Sequence, residues 1–344
     1  MYKPKYIYFI IVLLSINFVP VVVCQQNTIL LVSEETPIVR IPLKGRSAER
    51  QAEFSGLAWY GDYLVMLPQY PDRYENHFFI IHQNSILGYL QNRKPVTITP
   101  SVLPVNMPDF SSIIPGYEGL EAIDFLGNQV YITIESESDS GMMGYLITGI
   151  VSPGLGGITL NINSLKQIQP QTQLPNFSEE ALIVIGDTIS TIYEINSAKL
   201  NNRRVMHAFS ADGIFFGEIP FPSIEYRVTD ATHPDAYNRF WVINYLWPGD
   251  GDDLDITDDP LFLKFGKGTS HLKSKAVERL LQLEYTSTGV MITDTPPILI
   301  QLEDGQSRNW EGIVQFHNLG FLLVTDKFPE TILAFLPYAI DNQR

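Results

Sequence analysis

The chain of 344 residues holds one cysteine, Cys24. That excludes a disulfide scaffold, thiol catalysis and a zinc–thiolate site. Histidine is scarce too, at 6 residues, and zinc is further disfavoured for it. Basic residues are outnumbered 23 to 38 by acidic ones, for a formal net charge of −15. A chain of that sign repels nucleic acid and anionic membranes, so neither is an expected partner. The sequence also lacks a Gly-x-Ser-x-Gly elbow, a phosphate-cradling loop and a dinucleotide fingerprint.

Long apolar runs are confined to the start. "MYKPKYIYFIIVLLSINFVPVVVC", residues 1–24, reads as a signal peptide, with a basic n-region (Lys3, Lys5), an apolar h-region and a Val22-x-Cys24 end. Its apolar part is shorter than the roughly 20 residues a span needs and contains Pro20, so no stable membrane span is expected in the mature chain. Removing Lys3 and Lys5 takes the charge from −15 to −17. The expectation is a secreted or periplasmic/extracellular monomer, one domain over residues 25–344. Val23 before Cys24 is a poor fit to a lipidation signal, so simple secretion is favoured over an anchor at Cys24.

What the chain does have is a repeat. "YEGLEAIDFLGNQVYITIESES" opens with Glu118-Gly119-Leu120 and closes with Glu135, 17 residues on. "SEEALIVIGDTISTIYEIN" runs from Glu180 to Glu194 and "TDATHPDAYNRFWVINYLW" from Asp230 to Asn244, each 14 on. "FSGLAWYGDYLVMLPQYP" runs from Ser55 to Gln69, also 14, and "NWEGIVQFHNLGFLLVTDKFP" from Glu311 to Asp326, 15 on. Each hairpin is followed by further short runs rich in Val, Ile, Tyr and Phe and punctuated by Gly, Pro, Asn and Asp, as antiparallel strands should be. Four strands per unit predict an all-β propeller. Start-to-start spacings of 63, 62, 50 and 81 favour five blades, or six if the last interval hides a degenerate one. That interval reads instead as an insertion, with "SHLKSKAVERLL" as a short helix. The last copy is one run short and the N-terminus has a surplus run, "TPIVRIPL". An N-terminal strand closing the last blade satisfies both and removes the open edges.

In such a ring the first strand of each blade lines the channel and the second runs back beside it. The start of one and the end of the other therefore meet at one mouth. Ser55, Glu118, Glu180, Asp230 and Glu311 are placed inside, with Gln69, Glu135, Glu194, Asn244 and Asp326 around them. Converging carboxylates raise one another's pKa, and a bound cation removes the conflict. Glu118, Glu180, Asp230 and Glu311 are thus candidate ligands of a divalent cation, calcium suiting an oxygen-only set. Glu135, Glu194 and Asp326 are candidate catalytic carboxylates, with Glu135 or Glu194 as the base. Arg227, Arg308, Lys327 and His233 are candidates to receive a small anionic substrate, or else pair with the ring and hold it together.

The "EGL" or "EGI" openings followed by "VYITIES" or "FLLVTDK" resemble the phytase-like esterase propellers, and more distantly the calcium-dependent lactonase and gluconolactonase propellers. The resemblance covers nearly all of the mature chain. It implies a metal-assisted hydrolase of phosphoesters or lactones, with Glu118, Glu180, Asp230 and Glu311 as the matching positions. Ser55 departs from it, as does the sparse "DATHPDA". The alternative is a non-enzymatic propeller binding a protein, peptide or glycan at the same face. Asp250 to Asp259 has acid density but not the glycine and glutamate positions of a calcium loop, so it is expected to be a solvated insertion. Asn176-Phe177-Ser178 is a glycosylation acceptor in a eukaryotic secretory pathway. Trp59, Trp241, Trp247 and Trp310 are expected to pack between blades.

Overall fold

The computed structural model describes residues 31–339, except 140, 252, 253, 256 and 257. The leader expectation for residues 1–24, including Cys24, lies outside them. Among the described residues no helix is long and apolar enough to cross a membrane.

Four sheets make a five-bladed propeller, one of them, eight-stranded, holding the first two blades. The first blade runs Phe54–Tyr60, Tyr63–Pro68, His77–His82 and Ser101–Asn106 from the channel outward. The second runs Tyr117–Leu126, Gln129–Ser138, Gly141–Val151 and Ile158–Ile168, and the third Glu179–Ile185, Thr188–Tyr193, Val205–Phe209 and Phe215–Pro220. The fourth runs Arg227–Ala231, Arg239–Leu246, Val277–Thr286 and Ile298–Ile300, and the fifth Trp310–Phe316, Gly320–Thr325 and Leu333–Pro337.

The inner two strands of a blade are covered on both faces, which explains why they read as nearly unbroken apolar runs. All six residues of Gly320–Thr325 are buried. Outer strands alternate, as in Phe215–Pro220, where every second residue faces solvent. Successive side chains of each strand therefore enter different cores, one on either side of the blade. Val65 and Leu67 meet Ile123 and Ile132 of the second blade, whereas Leu64 and Met66 meet Leu322 and Val324 of the fifth. Ile183 meets Val242 across the next junction, Ile243 meets Ile313, and Tyr131 meets Ile189. These clusters close the ring.

Closure uses the N-terminal segment, as the surplus run required. Val39–Arg40 pairs antiparallel with Leu333–Pro337, Arg40 opposite Ala334 and Val39 opposite Phe335, and becomes the outer strand of the last blade. Just upstream, Glu35–Thr36 adds a parallel strand to the edge of the fourth blade, against Ile298–Ile300. The Glu35 carboxylate is held there by Ser270 N at 3.0 Å, Ser270 Oγ at 2.7 Å, His271 N at 3.2 Å and His271 Nδ1 at 2.7 Å. The first and second blades shield each other, because Ser101–Asn106 pairs parallel with Ile158–Ile168 and merges them into one eight-stranded sheet. Phe215–Pro220 of the third blade is left as an outer strand with no further partner among the described residues.

The long interval in the fourth blade is an insertion, but its helix is not at residues 270–281. Val277–Thr286 is a strand paired along its length with Arg239–Leu246, and only His271–Lys273 forms a 3-10 turn. The helix is Pro260–Phe265, capped by Asp259, whose Oδ1 accepts from Leu261 N at 2.9 Å. A further helix, Gln83–Asn92, lies within the first blade, capped by the His82 ring and ended by Arg93 in the left-handed region.

Candidate active site at the carboxylate mouth

Every inner strand carries a register irregularity at its channel end. In the first, third and fifth blades the residue skipped by the ladder is Ser55, Glu180 and Glu311 respectively. The fourth skips Thr229 and Asp230, and the second has two shifts, at Glu118 and at Glu121-Ala122. A β-bulge re-aims the side chain of its extra residue, and here it points repeated acids away from the interblade cores. Four of the five inner strands thereby deliver polar groups to one place.

The mouth is a cavity of about 580 Å³. Glu118, Glu121, Glu135, Glu180, Glu194, Glu311 and Asp326 all line it, with Arg227 and Lys327 as its cations and Tyr70, Tyr245, Trp247 and Phe328 as aromatic walls. At its centre the carboxylate oxygens of Glu121, Glu135 and Glu180 lie within 4.8 Å of one another, and all three residues are buried. Gln69 Nε2 donates to Glu121 Oε1 at 3.1 Å. Glu135 Oε1 and Glu194 Oε2 are buried with no hydrogen-bond partner among the described residues.

Burial, and after it the neighbouring carboxylates, push Glu121, Glu180 and Glu311 well above the usual carboxylate range. Glu135 is pushed up to about 8 by burial and then by Glu194 and Glu118. Burial also raises Glu194, against the pull of Arg227. Asp326 is raised by burial to about 6, with the bond from Asn309 and the Lys327 charge opposing. Its Oδ2 accepts from Asn309 Nδ2 at 2.9 Å, and Oδ1 has no partner among the described residues.

The structure gathers Glu135, Glu180, Glu194, Glu311, Asp326, Arg227 and Lys327 at this mouth, as the repeat placed them. Other candidates sit at its rim or fall elsewhere. Glu118 is exposed at the rim, and Glu121, which the motif reading passed over, holds the buried inner position of the second blade. Its spacing was the signal: Glu121 to Glu135 is 14 residues, like three of the other copies and one short of the fourth, whereas Glu118 to Glu135 is 17. Asp230 lines neither mouth; its carboxylate accepts from Ala231 N at 2.8 Å and Ile313 N at 2.7 Å, tying two inner strands together. Asn244 is likewise committed, to Arg279 Nε at 2.7 Å.

Arg308 is not at the mouth. It is buried on Glu278, which it contacts through Nη2 at 2.6 Å, so it reinforces the fourth and fifth blades rather than meeting a ligand. His233 is at the far end of the channel, because it follows its inner strand rather than preceding it. Arg227 pairs with Glu194 at 3.0 Å and Asp250 at 2.8 Å, and Lys327 with Glu53 at 3.1 Å. The acidic segment is not simply solvated: its ends, Asp250 and Asp259, are buried on Arg227 and on Arg279, the latter at 2.6 Å. Trp241 and Trp310 pack between blades, as does Trp59, stacked on Phe316 of the fifth blade where it also lines the other mouth, but Trp247 stands exposed at the carboxylate mouth.

No family model matches the chain, and no curated protein does. Solved structures similar to it include an exo-1,5-α-L-arabinanase from a bovine ruminal metagenomic library, at 10% identity and TM-score 0.44, over 86% of this chain and 94% of that one. An exo-β-1,3-galactanase from Phanerochaete chrysosporium gives 8% and 0.49, over 84% of this chain and 63% of the galactanase. A GH43_1 enzyme from Xanthomonas citri, complexed with xylose, gives 9% and 0.47, over 89% and 92%. Likeness at this level bears on neither substrate nor chemistry. The propeller assignment rests on the strand pairing.

Proposed function

We propose that the carboxylate mouth is a metal-assisted hydrolytic centre in which Glu121, Glu135 and Glu180 hold a hard divalent cation. The observation that carries this reading is the convergence of those carboxylates within 4.8 Å, buried, with Glu135 Oε1 lacking a partner among the described residues. Such groups oppose one another unless protonated or bridged, and an oxygen-only set suits calcium. A cation there would polarise the scissile group.

Asp326 is the base in this proposal. Its pKa of about 6 leaves it ionised at neutral pH, and its Oδ1 is unengaged. The substrate is a small ester or lactone with little negative charge, in place of the anionic ester that the basic residues beside the repeat suggested. Arg227 and Lys327, the cations of the cavity, are already paired with Glu194, Asp250 and Glu53, so a phosphoester would meet more carboxylate than cation. Export by the leader-like residues 1–24 would place the site where calcium is plentiful.

The test is turnover of aryl acetates, lactones and aryl phosphates with calcium and with chelator. Calcium-dependent hydrolysis of the neutral substrates, with kcat rising through a pKa near 6 and lost in Asp326→Asn, is the expected result. Calcium that raises the melting temperature without any turnover across the panel would replace this reading with the non-enzymatic one.

A further inference from the structure

The channel has a second mouth, and the two share no lining residue. Between them neighbouring inner strands pack closely: a Cβ on Gly312 would lie 2.9 Å from Leu57 Cγ, and one on Gly56 would lie 3.4 Å from Ile123 N. Asp230 ties Ile313 N of the fifth blade to the fourth. The far mouth is a cavity of about 610 Å³, a size typical of small-molecule sites.

We propose that this far cavity is a ligand site for a small, uncharged, planar molecule carrying one hydrogen-bond acceptor. Its floor is a built pair. His233 Nε2 lies 2.6 Å from Asp124 Oδ1. Asp124 is buried and pinned by Phe125 N at 2.8 Å and by Val184 N of the third blade at 3.0 Å. A carboxylate fixed by backbone donors from two blades cannot swing, so it orients the imidazole and holds Nε2–H toward itself. The other ring nitrogen, Nδ1, has no partner among the described residues on a half-exposed side chain that lines the cavity. Burial disfavours the charged ring, but Asp124 outweighs it and raises the His233 pKa; Nδ1 accepts in the neutral ring and donates in the protonated one that Asp124 favours.

The walls select against charge. Asp124 offsets His233, and Asp235 is paired with Arg239 at 2.8 Å, so this mouth is near balance where the other is acidic. Leu57, Ile123, Val314 and Trp59 supply apolar surface. The Trp59 ring is held flat, stacked on Phe316 at 5.9 Å and 14° with Nε1 donating to Gln315 O at 2.9 Å. Tyr237 stands exposed opposite the loop of His317 and Asn318, with Arg239 over one face of its ring. Flat aromatic walls and one outward donor match a planar body with one carbonyl.

The probe is Prodan, a neutral naphthalene ketone whose emission shifts to the blue on leaving water. Full-length wild type should bind it saturably at one site. Ala236→Trp, on the exposed loop that lines the cavity, should abolish that binding with the far-UV spectrum unchanged. His233→Phe, which keeps a ring but removes the donor, should weaken it about tenfold, the value of one hydrogen bond of about 1.4 kcal/mol. Glu180→Gln at the other mouth should leave it unaltered, which separates this site from the hydrolytic proposal. Absence of saturable binding, or an unchanged Kd in both Ala236→Trp and His233→Phe, would overturn the assignment.

Discussion

Glu180 sits where a charge is costly and an ordinary amide is not. In chelator-treated protein, Glu180→Gln should therefore raise the melting temperature, since it removes one member of a buried like-charged cluster without changing side-chain volume. The same substitution should remove the stabilisation by calcium, which for wild type is about 2.7 kcal/mol at a hundredfold excess over Kd. A variant that loses stability without metal, or still responds to calcium, would show that Glu180 is not a ligand. Glu135 makes a second prediction. Its folded pKa is raised from 4.5 to about 8, so between those values the folded state keeps a proton that the unfolded chain has released. Stability of the cation-free protein should be greatest near pH 5 and fall as pH rises toward 8. Saturating calcium should flatten that slope; a metal-free melting curve that climbs across the same range would reverse the sign and refute it.

At the scale of elements, the N-terminal segment is the sharpest case, because two residues of strand on each of two blades would contribute little alone. Glu35 anchors it through the donors of Ser270 and His271 and sits against Gly268, where a Cβ would lie 2.2 Å from Glu35 Cγ. Glu35→Ala should cost about 3 kcal/mol, the scale of leaving several buried donors without their acceptor. Protection from hydrogen exchange should drop first in Leu333–Pro337 and Ile298–Ile300, the strands it covers. Uniform loss across the ring would argue that closure is not local. This closure was legible in the sequence because a missing run at one end and a surplus at the other are a counting matter. The inner strands were legible for a physical reason, since burial on both faces leaves no polar alternation to confuse. The helix Gln83–Asn92 was not, because Ile86 and Tyr89 bury only a narrow stripe. The strand Val277–Thr286 was taken for helix because Glu278 and Arg279 look like solvent-facing charges, yet both are buried and paired with Arg308 and Asp259. The site was legible to the extent that register is: acids at a spacing of 14 share a bulge position, and following Glu-Gly rather than the spacing selected Glu118 over Glu121.

Taken as a whole, the molecule has two cavities at opposite ends of the same inner strands, with no lining residue in common. Acids repeated at one end of the hairpins give one mouth its charge; the turns at the other end repeat no charge pattern and give the second mouth its apolar walls. Around the perimeter the arrangement is less even. Two blades cover each other, two are bordered by the N-terminal segment, and Phe215–Pro220 has neither protection, with Phe215 49% and Phe216 62% exposed. For anyone concentrating or storing the protein, that strand is the place where one copy would begin to adhere to another, backbone to backbone. Light scattering of concentrated samples should grow with time in wild type and stay low in Phe216→Lys, at unchanged melting temperature. Equal clouding of both would place the adhesive surface elsewhere. A ring that leaves one seam uncovered has its colloidal lifetime set by that seam, however tightly the other joints are closed.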